Sequence, residues 1–183
     1  MIAIATAALV GVGAGGCAVS SQDFGEHDLG PGLPVGASAE SLPELPTPWQ
    51  NLDRTAPEAV VLATARAVFD WHPENGEIGP EIAARRAGPL FTLRGAETHR
   101  PLPISRRTWQ EWMDARALVS ADTVISAEEH PVDTAGTWHR KLTTTLTVTT
   151  PGKLPRSMRI VSLVVAEKQA GWRVAELAHL SWT

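Results

Sequence analysis

Apolar positions along this chain recur with two different spacings, and the change falls near residue 117. Val61, Leu62, Ala65, Val68 and Phe69 lie on one stripe at the spacing of an amphipathic helix. Thr55-Ala56-Pro57-Glu58, just before it, has the form of a capping box, in which the threonine hydroxyl accepts from the Glu58 amide and the carboxylate reaches back. Pro57 fits the first turn, where no intrahelical donor is needed. The helix is expected to end near Trp71–His72, because Pro73 disfavours helical geometry in the residue before it. Asn75-Gly76 marks a turn, and a shorter helix is expected from Glu81 to about Ala87, stopped by Gly88-Pro89. A loop with Gly95, Pro101 and Pro103 follows from Leu93 to Pro103. Ser105 then caps a third helix, Arg106–Ala117, whose stripe is Trp109, Trp112 and Met113.

Beyond that point the period becomes two. Leu118–Ala127 reads as a strand, and Trp138–Thr149 alternates most clearly. On the latter, Trp138, Arg140, Leu142, Thr144, Leu146 and Val148 share one face, and the residues between them make a polar one. Ser157–Glu167 carries apolar residues on both faces and is expected to be central. Trp172–Trp182 alternates again, with Trp172, Val174, Glu176, Ala178, Leu180 and Trp182 on one face. Three helices and then four strands in meander order predict an α+β domain over residues 54–183, its N-terminal helices packed on a curved antiparallel four-stranded sheet. A domain of that size buries enough surface to need no disulfide or metal.

The composition breaks sharply before the first helix. All sixteen basic side chains lie at or after Arg54, against fourteen acids there and six before it. The formal charge of −4 therefore belongs to the first third of the chain, and the domain itself is nearly neutral. That balance argues against a nucleic-acid partner, which requires a basic surface. Residues 18–53 hold five prolines, four glycines and four serines among acids, without apolar periodicity. They read as a disordered acidic linker that cannot bury enough surface to offset its ordering entropy, although Leu42–Trp49 has the apolar groups to lie against the domain.

Residues 1–16 carry no charge and are almost all Ala, Val, Ile, Leu and Gly. The stretch is short for a spanning helix and suits the apolar region of a signal peptide. It runs into Ala14-Gly15-Gly16-Cys17, which resembles a bacterial lipobox. The resemblance implies cleavage before Cys17, diacylglycerol on its thiol, and a domain held by lipid at the extracytoplasmic face of the cell membrane. Ala14 stands where leucine or valine is commoner, and no Lys or Arg precedes the apolar run. A simply secreted protein and one with a single N-terminal anchor helix remain the alternatives.

The order of elements, together with the closing hairpin Val164–Glu176 and its Gly171-Trp172-Arg173-Val174 turn, resembles the nuclear transport factor 2-like (cystatin-like) superfamily. The likeness covers residues 55–183. It implies a cone-shaped α+β domain, a pocket bordered by the first helix, and dimerisation through the sheet. Thirteen Arg against three Lys fit a high-GC genome. The run Val68-Phe69-Asp70-Trp71-His72-Pro73 with a later Ala-Arg-Arg-Ala is similar to actinobacterial lipoproteins. That resemblance implies an assembly or binding role, accessory to a conjugation, secretion or lipid-transport complex with an envelope protein partner.

The search for chemistry is mostly negative. No phosphate loop, nucleophile elbow, HExxH motif or EF-hand loop occurs, and the six histidines lack metal-ligand spacing, so no metal or cofactor is expected. Glu128-Glu129-His130 is the densest ionisable cluster and reads as a solvated strand end rather than a metal or general-base site, which needs convergent ligands. Asp70 and His72, on the segment that would border a cone, are candidates for an isomerase or dehydratase that tunes a carboxylate in apolar surroundings; the alternative is a solvated helix end. Trp71, Trp109, Trp112, Trp172 and Trp182 are candidates for a pocket or an interface, with core packing as the plainer role. A small hydrophobic-ligand carrier would use the same residues. Arg85-Arg86 and Arg106-Arg107 are either a solvated face or a contact with anionic phospholipid.

Overall fold

The computed structural model describes residues 44–183, all within the unit Ala39–Thr183. The expected signal segment, Cys17 and most of the acidic linker lie outside the described residues. Among the described residues no helix is long and apolar enough to cross a membrane.

Helix α1, Pro57–Val68, buries Val60, Val61, Thr64, Ala65, Ala67 and Val68; of the predicted stripe, Val61, Ala65 and Val68 are buried with Phe69 just past the helix, while Leu62 is only half-buried. Its start is built differently from the expected capping box. The first helical residue is Pro57, so Ala56 holds the N-cap position and makes no side-chain bond. This places Glu58 one residue too early to reach back to Thr55. Asp53 takes over: its Oδ1 accepts from the Thr55 amide at 2.8 Å and the Thr55 hydroxyl at 2.7 Å. The helix also ends earlier than Trp71–His72. The Trp71 indole N–H donates to Val68 O at 2.8 Å, satisfying one of the terminal carbonyls and turning the chain inward.

Helix α2 spans Glu81–Arg86, and helix α4 spans Arg106–Asp114 with Ser105 Oγ accepting from the Thr108 amide at 3.0 Å. Between them, the expected loop contains a helix, α3, at Leu93–Thr98. Thr92 caps it by accepting from the Gly95 amide at 3.0 Å. Glycine within so short a helix masked the signal in the sequence, and packing supplies the reason for it. A Cβ at Gly95 would lie 2.6 Å from Val174 O and 3.0 Å from Ala175 O, so α3 rests its backbone directly on the last strand.

The sheet has the order β1-β2-β3-β4, with strands Leu118–Ile125, Thr137–Thr149, Arg156–Lys168 and Trp172–Trp182, each antiparallel to its neighbour. Fold class and strand bounds follow the predicted pattern closely. On β2 the buried residues Leu142, Thr144 and Leu146 belong to the expected inner face. Central β3 alternates, with Ile160, Ser162, Val164 and Ala166 buried and Val161, Leu163 and Val165 half-buried on the other side.

The single face expected for β4 does not form. Register shifts between Val165 and Ala166, and again between Val161 and Ser162, leave Ala175 and Leu180 unpaired. Each bulge moves the following residues to the opposite face. The core side of β4 is therefore Trp172, Val174, Leu177, His179 and Trp182, opposite the core side of β3. Glu176 and Ala178 face away.

Two packed clusters fill the space between helices and sheet. One joins α1 to Leu90, Phe91, Leu142, Val164, Trp172, Val174 and Leu177, and the other joins Phe69, Trp71, Ala83, Leu102, Trp109, Leu146 and Ile160. Leu45 is buried in the first, with Trp49 and Leu52 packed against it. The domain thus begins before residue 54: the 44–53 end of the predicted linker is folded, anchored by these apolar groups and by the Trp172 amide donating to Arg54 O at 2.9 Å.

Candidate functional site

The aromatic candidates of the first helical region belong to the core. Trp71 is buried, meeting Phe69 edge-on at a centroid distance of 5.8 Å and Trp109 at 5.6 Å. Trp112 stacks at 6.4 Å from Trp71 and stands 5.8 Å from Trp109. The Trp109 indole donates to Glu77 O at 2.6 Å, so its polar atom is satisfied within the fold. Trp172 is buried in the other cluster. Trp182 differs, being 48% exposed at the end of β4.

Asp70 and His72 form a surface ion network. Asp70 Oδ1 lies 3.0 Å from His72 Nε2, its Oδ2 lies 3.4 Å from Arg86, and its side chain is 52% exposed. His72 Nδ1 lies 2.9 Å from Glu74, and the carboxylates of Glu74 and then Asp70 raise the imidazole pKa. Arg86 also pairs with Glu77. Asp70 lies on neither the β4-edge cavity nor the Glu128 depression, and its half-exposed carboxylate sits between His72 and Arg86 instead of in the apolar surroundings that an isomerase base requires. Arg86 is thereby occupied, as is Arg107, which bonds Glu111 at 3.0 Å.

Glu128, Glu129 and His130 border a shallow surface depression with Lys141. Glu128 pairs with Lys141 at 2.6 Å, and that bond holds its carboxyl below the usual range. Nearby, Asp133 pairs with Arg140 at 2.8 Å, and Arg140 in turn lies 4.4 Å over the Trp138 ring. Among the described residues, no three His, Cys, Asp or Glu side chains come together to hold a metal.

A cavity of about 950 Å³ lies at the free edge of β4 beneath α3 and the segment that follows it. Leu93, Pro101, Pro103, Val165 and Trp182 supply apolar walls, and Arg94, Glu97, Arg100 and Glu176 supply charge. Two histidines, distant in sequence, meet on its wall. The His99 Nδ1–H donates to Leu177 O at 3.1 Å, and His179 Nδ1 bonds the buried Ser162 hydroxyl at 3.0 Å. The rings lie 5.8 Å apart and nearly perpendicular, with His99 stacked on Phe91 at 5.2 Å and His179 against Phe69 at 5.5 Å. The Nε2 atom of each is buried without a hydrogen-bond partner.

Burial lowers both imidazole pKa values. His99 is pushed down by desolvation, and Arg100 adds to the shift against the opposing Leu177 carbonyl; His179 falls to about 4 through desolvation and then the neighbouring His99. Both rings are therefore neutral near pH 7. Of the residues singled out in the sequence, only Trp182 joins this wall. His99 and His179 escaped notice because α3 and the β4 bulges bring them together, and neither feature shows in the apolar pattern.

No protein-family model, curated protein or solved structure matches this chain.

Proposed function

We propose that the chain is a lipid-anchored, extracytoplasmic binding module of a bacterial cell envelope, built on a nuclear transport factor 2-like domain, that contributes to assembly rather than to catalysis. The observation that carries this reading is where the open space lies. The core-facing side of the sheet is filled by the two aromatic and aliphatic clusters, while a cavity of about 950 Å³ opens at the edge of β4. Its wall offers Leu93 and Trp182 to a partner, both exposed apolar side chains of the kind that anchor interfaces. The helix-then-meander order supports the superfamily assignment, and the residues Gly15-Gly16-Cys17 support the anchor.

Two measurements test this. A palmitate analogue labels the wild-type protein in its native cells, and Cys17→Ser abolishes the label; equal labelling rules the cysteine out. Cross-linking in those membranes yields a defined complex with the wild-type protein, which Leu93→Asp with Trp182→Asp removes. An unchanged complex overturns the assignment of this edge.

The cavity's volume also favours a second reading, a carrier of a small hydrophobic ligand. An environment-sensitive apolar dye that binds stoichiometrically and is displaced by Trp182→Asp would select it.

A further inference from the structure

The hairpin joining β2 to β3 carries a charge pattern that the binding edge leaves unused. From Thr134 to Ala166 the chain contains no acidic residue. Lys153, Arg156 and Arg159 are all exposed there, and none has an ion-pair partner among the described residues. At the tip, between Pro151 and Pro155, Leu154 is 89% exposed.

The sheet register places this tip on its own. β4 ends with Trp182 opposite Ile160, and β1 begins with Leu118 opposite Thr149. The turn residues therefore project past both edge strands, with the exposed Leu118 beside them. Arg156 lies opposite Val148 on the core-facing side of the hairpin, and Arg159 lies opposite Thr145 on the other side. Cations thus flank the protruding leucine on both faces. Arg159 is within electrostatic reach of Glu128, whose carboxylate is bonded to Lys141, and Asp122 faces Thr145 from β1, two strand spacings or about 10 Å away.

We propose that this end of the sheet docks on an anionic phospholipid bilayer, with Leu154 entering the boundary between headgroups and acyl chains and Lys153, Arg156 and Arg159 meeting the phosphates. An exposed leucine is useless to a soluble polyanion, whereas a bilayer rewards both the apolar side chain and the cations around it. The biological setting rests on the membrane-anchored reading; the contact itself requires no lipid on Cys17. The folded part of the chain starts near Trp172, at the opposite end of the sheet, about 43 Å along the thirteen residues of β3. The 27 residues from Cys17 to Glu44 span up to about 90 Å when extended, enough for the anchor and the hairpin to reach one membrane.

The test uses the full chain with Cys17→Ser, so that failure of the anchor and failure of this contact are separate results. Vesicles of phosphatidylglycerol and phosphatidylcholine, and of phosphatidylcholine alone, are sedimented with the protein at low salt. Preferential binding to the anionic vesicles is expected, and K153E/R156E/R159E weakens it by at least about 100-fold, at about five-fold per cation removed and more for the charges reversed. Leu154→Ser, which removes the apolar side chain without changing charge, also weakens vesicle binding but leaves any binding to heparin unchanged. The charge-matched variant R66E/R94E/K168E, in exposed cations away from the turn, retains vesicle binding. The proposal is overturned if the two vesicle types bind equally, if the hairpin variants bind as the parent does, or if the charge-matched variant loses as much. Loss of heparin and vesicle binding in parallel in the charge variant, with Leu154→Ser having no effect on either, would instead assign the hairpin to a soluble polyanion and overturn the proposal.

Discussion

Replacing Gly95 by alanine sets helix propensity against packing. On propensity alone, alanine in α3 would stabilise the helix by about 1 kcal/mol. The structure reverses the sign. The new Cβ would lie 2.6 Å from Val174 O and 3.0 Å from Ala175 O, where roughly 3.3 Å is the closest comfortable C···O approach. Both obstacles are backbone atoms of a paired strand, so α3 must retreat by roughly 0.7 Å. That movement strains the bond from the Thr92 amide to Val174 O, now 2.8 Å, and the bond from His99 to Leu177 O, now 3.1 Å. Overpacking costs about 1–3 kcal/mol and a weakened hydrogen bond about 1 kcal/mol, so the net loss is about 1–3 kcal/mol after the propensity gain. For a domain of this size the melting temperature should fall by roughly 3–10 °C. Urea unfolding should show a lower midpoint with an unchanged slope, because the surface exposed on unfolding is the same. Glu97→Ala, an exposed change in the same helix, should move stability by less than about 0.5 kcal/mol. If Gly95→Ala melts at or above the parent temperature, α3 does not rest on β4 as described.

Three further outcomes concern the buried histidine, the helix caps and the tryptophans. His179 has its pKa lowered from 6.5 to about 4, so between those values the unfolded chain binds a proton that the folded chain does not. Its contribution makes stability fall as pH drops through that window and level off below it, whereas His72, with a raised pKa, contributes stability at low pH that is lost as pH rises. Urea midpoints of the wild type and His179→Gln should therefore diverge between pH 6.5 and 4, and parallel curves would contradict the buried neutral ring. Ser105→Ala should cost about 1 kcal/mol, because that hydroxyl caps α4. Thr55→Ala should cost less, since the Thr55 amide keeps its bond to Asp53; equal losses in chemical denaturation would restore the capping box at α1. Trp71→Ala should cost about 3–5 kcal/mol from the packed aromatic cluster, and Trp182→Ala, half-exposed, about 1 kcal/mol or less; similar unfolding midpoints would refute that assignment.

The alternation of apolar residues after position 117 was sufficient to place four strands within a residue or two, because adjacent antiparallel strands need only local period and short turns. Ser105 revealed its helix for a similar reason, since an N-cap acts within one turn. Thr92 sent the same signal, and Gly95 beside it obscured the helix because the need for glycine comes from β4, remote in sequence. The capping box at Thr55 misled by one residue of register, settled by Pro57 and the competing Asp53 carboxylate.

What the sequence determined by itself was the α+β order, the central pair of strands and the break in charge near Arg54, all of which depend on neighbours along the chain. What only the tertiary structure decided was which side chains share a wall. The first bulge in β4 turns Leu177 and His179 to the core side, the second returns Trp182 to it, and α3 carries His99 to meet His179. The same packing drew Trp71 and Trp109 into the core and left Asp70 among surface charges. A one-residue bulge reverses every side chain after it without altering the hydrophobic count, so the position of the candidate site depends on contacts that local spacing does not encode.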